Sequence, residues 1–177
     1  MTRITLSVAV AVSALATLLS PDPASACSRI LPFSSDELFA ADVIVRATAV
    51  TYVVAPEPNT MPMGEPMSAV EFKVEEVLKG DGVPDFVVLN ASLSDRDDFN
   101  DGAVPYQFVR RNGRSGNCYA SSYKEGAQFL LFLRKSGNGF TSNISPLGPT
   151  NEQLRGPGDE WLRWVKQYRA TKGRTEN

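Results

Sequence analysis

The chain has two cysteines, Cys27 and Cys118, and no histidine. Without histidine there is no Ser-His-Asp or Cys-His catalysis, no His-ligated zinc and no His-ligated haem. Two cysteines are also too few for a four-cysteine zinc site. Cys27 directly follows Ala24-Ser25-Ala26, the small-x-small pattern that signal peptidase accepts before its cut. Cleavage after Ala26 makes Cys27 the first mature residue. Its α-amine, with a pKa of about 7.7–8.0, is then partly neutral near physiological pH and has a lone pair for a metal. The carbonyl of Cys27 is a second donor beside it. In an oxidising compartment two cysteines most simply form one disulfide, the alternative being two buried thiols. Such a disulfide either holds both donors in place or only secures a chain end.

Two other constellations invite chemistry. Ser121-Ser122-Tyr123-Lys124 matches S-x-x-K, which supplies a serine nucleophile and a lysine in penicillin-recognising enzymes. The companion S-D-N and K-T-G motifs are absent. A small hydrolase using Ser121 or Ser122 with Lys124 is an alternative that no second motif supports. Asp95, Asp97, Asp98, Asn100 and Asp101, with Gly102, suggest calcium. The EF-hand template fails, because position twelve counted from Asp95 is Tyr106 rather than Glu. A solvated acidic loop is the better reading. No cofactor is expected.

The elements that must carry these residues begin after a secretory leader. Arg3 is its positive end, Leu6 to Leu19 its apolar run, and Pro21 and Pro23 stop any helix before the cut. Removing residues 1–26 leaves 151 of the 177 residues, the size of one domain with room for a real core. The product is secreted or periplasmic, in either case extracytoplasmic. A lipoprotein anchored at Cys27 is the other reading, but the third residue before that cysteine is Ala24 where such signals usually have Leu. The net charge of −2 gives no general attraction to nucleic acid or anionic lipid.

Ser34 and Glu37 have capping-box spacing and open a short helix that ends near Asp42. Val43 to Val54 alternates as a long strand, with Val43, Val45, Ala47, Ala49, Thr51 and Val53 on one face. Ala55 to Met67 is a Pro- and Met-rich connector. Ser68 to Lys79 is a second strand with a bulge or bend at Glu75 to Leu78. Gly80-Asp81-Gly82 turns into a third strand, Phe86 to Leu89. Leu93 to Asn117 is polar and without sustained periodicity, apart from a short strand at Tyr106 to Val109. Gln128 to Arg134 is the strongest apolar strand, and Asn138-Gly139 turns it into Phe140 to Ile144. Asp159 to Ala170 is a helix with Trp161, Trp164, Val165 and Tyr168 inward and Arg163, Lys166 and Arg169 outward. The fold expected is mainly β, a small OB-like closed barrel of about five strands with an N-terminal and a C-terminal helix.

Five motifs in order carry a resemblance. They are Cys27; Ala41-Asp42-Val43-Ile44-Val45-Arg46-Ala47; Phe72 to Gly80; Asn117-Cys118-Tyr119; and Glu125 to Phe132. Together they resemble a netrin-like domain, and more narrowly the bacterial relatives of tissue inhibitors of metalloproteinases, from about Cys27 to Leu154. The resemblance implies an OB-like barrel and an N-terminal cysteine that takes a protease's zinc through its amine and carbonyl, a role that falls on Cys27. The family's inhibitors open with Cys-x-Cys and carry several disulfides. Here Ser28 and Arg29 follow Cys27, and one disulfide, Cys27–Cys118, is available.

The expected organisation is a leader over 1–26, a netrin-like barrel over 27–154 and a C-terminal helix and tail over 155–177. The expected function is non-enzymatic protein binding through Cys27, Ser28 and Arg29, with a metalloprotease as the partner to test. A cell-envelope module without inhibitory activity is the alternative. No metal belongs to the isolated chain, no nucleic acid is expected as a partner, and no membrane span remains after cleavage.

Overall fold

The computed structural model describes residues 35–56, 68–100, 103–104, 122–145, 148–149 and 151–175. Its helices are α1 (Ser35–Phe39) and α2 (Glu160–Thr175). The long strands are β1 (Val43–Val54), β2 (Ala69–Lys79), β3 (Phe86–Asn90) and β6 (Gln128–Ser136). Short strands are β4 (Ser92–Ser94), β5 (Ser122–Lys124), β7 (Gly139–Ser142), β8 (Ile144–Ser145), β9 (Gly148–Pro149) and β10 (Glu152–Gln153). The fold is mainly β, as expected.

One six-stranded sheet dominates, in the order β10-β6-β1-β2-β3, with β7 also paired to β6. No hydrogen-bonded pairing of described residues closes this sheet into the expected barrel. The sheet curls nonetheless, since β3 and β7 approach within 8 Å between Cα atoms. The reason it curls is local. Between β1 and β2 the register shifts four times, and each extra residue bends the strand and increases its twist. The bulge expected at Glu75 to Leu78 is there, because Ala47 pairs Val74, Arg46 pairs Glu76, Val45 pairs Val77 and Ile44 pairs Lys79.

Two cores lie on opposite faces of this sheet. Inside the curl are Val43, Val45, Ala47, Ala49, Phe72, Val87, Leu89, Tyr123, Phe129, Leu131 and Leu133. Phe72, Tyr123 and Phe129 meet edge to face, with centroids 4.9–6.3 Å apart, the favoured geometry for such rings. On the outer face Ile44, Leu78, Leu130 and Phe132 are covered by Leu38 and Ala41 near α1 and by Leu154, Trp161, Leu162 and Val165. β6 supplies both cores by strict alternation, which is why five consecutive apolar residues are all fully buried.

Several expectations shift. The face of β1 changes between Ala49 and Thr51, where the register slips. Thr51 and Val53 are therefore exposed and Tyr52 packs against the inner core instead. The β6–β7 turn is Gly137-Asn138, one residue earlier than expected, since Ser136 pairs Gly139. α1 stops at Phe39 rather than near Asp42. The strand expected at Tyr106 to Val109 lies outside the described residues.

Candidate functional site

Cys27, Ser28, Arg29 and Cys118 all lie outside the described residues, as does Ser121. The elements that flank them are described. α1, which follows the Cys27 segment, is clamped to α2. Phe39 stacks on Tyr168 with centroids 4.0 Å apart and tilts against Trp164 at 5.4 Å. Tyr168 Oη donates to Asp36 Oδ1 at 2.8 Å. The Lys79 ammonium donates to the carbonyls of Phe39 and Ala41 at 2.7 and 2.6 Å, which satisfies acceptors that the end of α1 leaves open. On the other flank, β5 starts four residues after Cys118 and pairs in parallel with β4. Tyr123 fixes it by burying its ring, while its hydroxyl accepts from Asn151 Nδ2 at 2.7 Å.

A polar seam joins β5 to β10. Asp97 Oδ2 lies 2.8 Å from Lys124 Nζ, and Asp97 Oδ1 accepts from Gln153 Nε2 at 2.6 Å. Gln153 Oε1 accepts from the amide of Asp98 at 2.7 Å. Asn100 Nδ2 donates to Glu152 Oε1 at 3.4 Å. Asn151 completes the edge of β6, where its Oδ1 accepts from the Phe132 amide at 2.9 Å between the β10 and β7 pairings. These contacts give Asp97, Asp98, Asn100 and Lys124 structural roles; Asp101 and Gly102 of the acidic loop lie outside the described residues. Ser122 is exposed, and the Lys124 ammonium is directed at Asp97. Asp95 faces Arg96 at 3.7 Å. Among the described residues no group of three or more acidic or cysteine side chains could hold a metal ion.

A cleft of about 640 Å³ opens at the head of α2. It is lined by Asn100, Val104, the Arg155-Gly156-Pro157-Gly158 loop, Asp159 and the first turn of α2 with Glu160, Trp161 and Arg163. Asp159 caps the helix, its Oδ1 accepting from the Trp161 amide at 2.8 Å and its Oδ2 from the Arg155 amide at 2.9 Å. Arg155 donates to the Asn100 carbonyl at 3.3 Å and lies 4.6 Å from the centroid of Phe99. Sequence reading passed over this cleft. Its signal was the Gly-Pro-Gly-Asp run before a Trp-rich helix, a loop and cap with an arginine on either side.

No protein-family model matches the chain, and no curated protein matches it significantly. Among the described residues no helix is long and apolar enough to cross a membrane.

Proposed function

We propose that the chain is an exported, non-catalytic protein-binding domain whose contact edge is the mature N-terminus at Cys27. Its partner is a zinc metalloprotease. The α-amine and carbonyl of Cys27 take the partner's zinc, Ser28 and Arg29 enter the substrate cleft, and a disulfide to Cys118 ties the edge down. The observation that carries this reading is Ala24-Ser25-Ala26 placed directly before a cysteine that has one possible disulfide partner. A disulfide that fixed the donor pair before binding would reduce the entropy lost when it binds.

The test is the mass of the exported protein together with its effect on a panel of zinc metalloproteases. An unmodified Cys27 terminus and inhibition of at least one protease are expected. A lipid adduct on Cys27, which takes the thiol from the disulfide and, where it acylates the amine, removes its basicity, would replace this reading with an anchored envelope module.

A further inference from the structure

The charge of this chain is unevenly placed. α2 contains five basic residues and one acidic residue, while the whole chain carries −2; the remainder therefore carries −6. Arg163, Lys166 and Arg169 are exposed along the helix. Arg163 and Arg155 also line the cleft at the helix head, together with Asp159, which caps the helix, and Glu160. The cleft and the basic stripe therefore form one continuous surface that shares Arg163.

We propose that this surface is a second docking site, separate from the Cys27 edge, for an extended acidic segment of a partner protein. The Asp159 carboxylate already accepts from the Trp161 amide of the first turn, so the site rests on the two guanidiniums and the cleft rather than on the helix end. An arginine presents five donors in a fork that matches a carboxylate. Arg163 is 62% exposed and only loosely engaged, 3.9 Å from Glu160. The cleft, at about 640 Å³, has the size of a small-ligand pocket, so an acidic side chain can enter it. From Arg163 to Arg169 the helix rises about 9 Å, the span of roughly three extended residues. A segment with one carboxylate in the cleft and another beside Arg169 matches this layout, while Lys166 stays paired with Glu76 at 2.8 Å. A flat lipid surface would meet the stripe but could not enter the cleft, which favours the peptide.

The probe is an N-acetylated, C-amidated pentaglutamate titrated into the full mature protein, followed by calorimetry and by tryptophan fluorescence. Saturable binding that fades in about 0.5 M salt is expected. Arg163→Gln should weaken it about three- to fivefold, the worth of an exposed charge pair. Arg155→Gln should weaken it as well, with the melting temperature measured to confirm folding. Lys73→Gln, an exposed change on β2, should leave binding within about twofold. Absence of saturable binding would overturn the proposal, and so would equal losses in all three variants. Binding to vesicles of roughly one-third phosphatidylserine that responds to Arg169→Gln but not to Arg155→Gln, with no binding of the peptide, would replace it with a membrane contact. None of these outcomes depends on protease inhibition, so failure here leaves the Cys27 reading standing, and the reverse.

Discussion

Gly80 ends β2 with φ +95°, a left-handed conformation, and a Cβ added there would lie 2.7 Å from the Asp42 carbonyl and 2.8 Å from Val43 Cγ2. Backbone on one side and the inner core on the other leave little room to yield. Gly80→Ala should therefore destabilise the protein by roughly 1–3 kcal/mol in urea titration. Gly82 and Gly126 also have positive φ, but nothing lies within 4 Å of an added Cβ, so alanine there costs backbone strain alone. Leu131 tests the core in the same way. It is fully buried on β6 in the inner core, opposite Val45 of β1, and Leu131→Ala should cost about 2–5 kcal/mol. A loss below about 1 kcal/mol would contradict its central position. Residues of this kind are legible in sequence because each obeys one strong local rule. β6 shows five apolar residues in a row, and Gly80 sits in a Gly-Asp-Gly turn. Tyr52 was not legible. Its inward direction depends on a register slip at Val50 that only the partner strand determines.

At the scale of elements, α2 is held to the sheet by packing and by charge. Lys166 Nζ lies 2.8 Å from Glu76 Oε1, and Arg46 Nε lies 3.2 Å from Glu76 Oε2. The hydrogen bond from Lys166 is the largest influence that holds the Glu76 carboxyl below its ordinary value; desolvation opposes it, and Arg46 adds to the lowering. A carboxyl lowered in the folded state gives stability that is present above its unfolded value of about 4.3 and is lost as pH falls through the folded value. Glu76→Gln should therefore lower the melting temperature at neutral pH and flatten its fall between about pH 5 and pH 3. Added salt should shrink the difference, because Glu76 is one-third exposed. An unchanged acid limb in the variant would show that other carboxylates dominate. The long elements, β1, β2, β6 and α2, follow from periodicity in the sequence. β4, β5 and β10 do not. Two or three residues hold no period, and Asn151, Glu152 and Gln153 are polar residues buried by the hydrogen bonds they make.

For the whole molecule, the curled sheet joins segments far apart in sequence, and the expected Cys27–Cys118 disulfide would add one more such link. It would close a loop of about 90 residues, which the chain-entropy account values at about 4–5 kcal/mol. Thiol titration of the unreduced exported protein should find no reactive thiol, and Cys118→Ser should lower the melting temperature and expose the N-terminus to proteolysis. Two reactive thiols would remove the tether from the account. The mainly β class was legible from the alternation of β1 and β2 and the apolar run of β6. The meeting of β3 with β7 was not, because it depends on accumulated twist. The candidate contact edge was legible only as a motif, since its argument rests on a cleavage pattern and a cysteine rather than on packing.

The most direct measurement compares two forms of the mature protein, one beginning at Cys27 and one with a single alanine added before it, against a metalloprotease that the native form inhibits. The extra residue displaces the free amine by about 3.8 Å. The account predicts that inhibition by the extended form is abolished while its melting temperature stays nearly unchanged. It also predicts that inhibition by the native form weakens below about pH 7, as protons compete with zinc for the amine. Equal inhibition by the extended and native forms would contradict zinc chelation by Cys27.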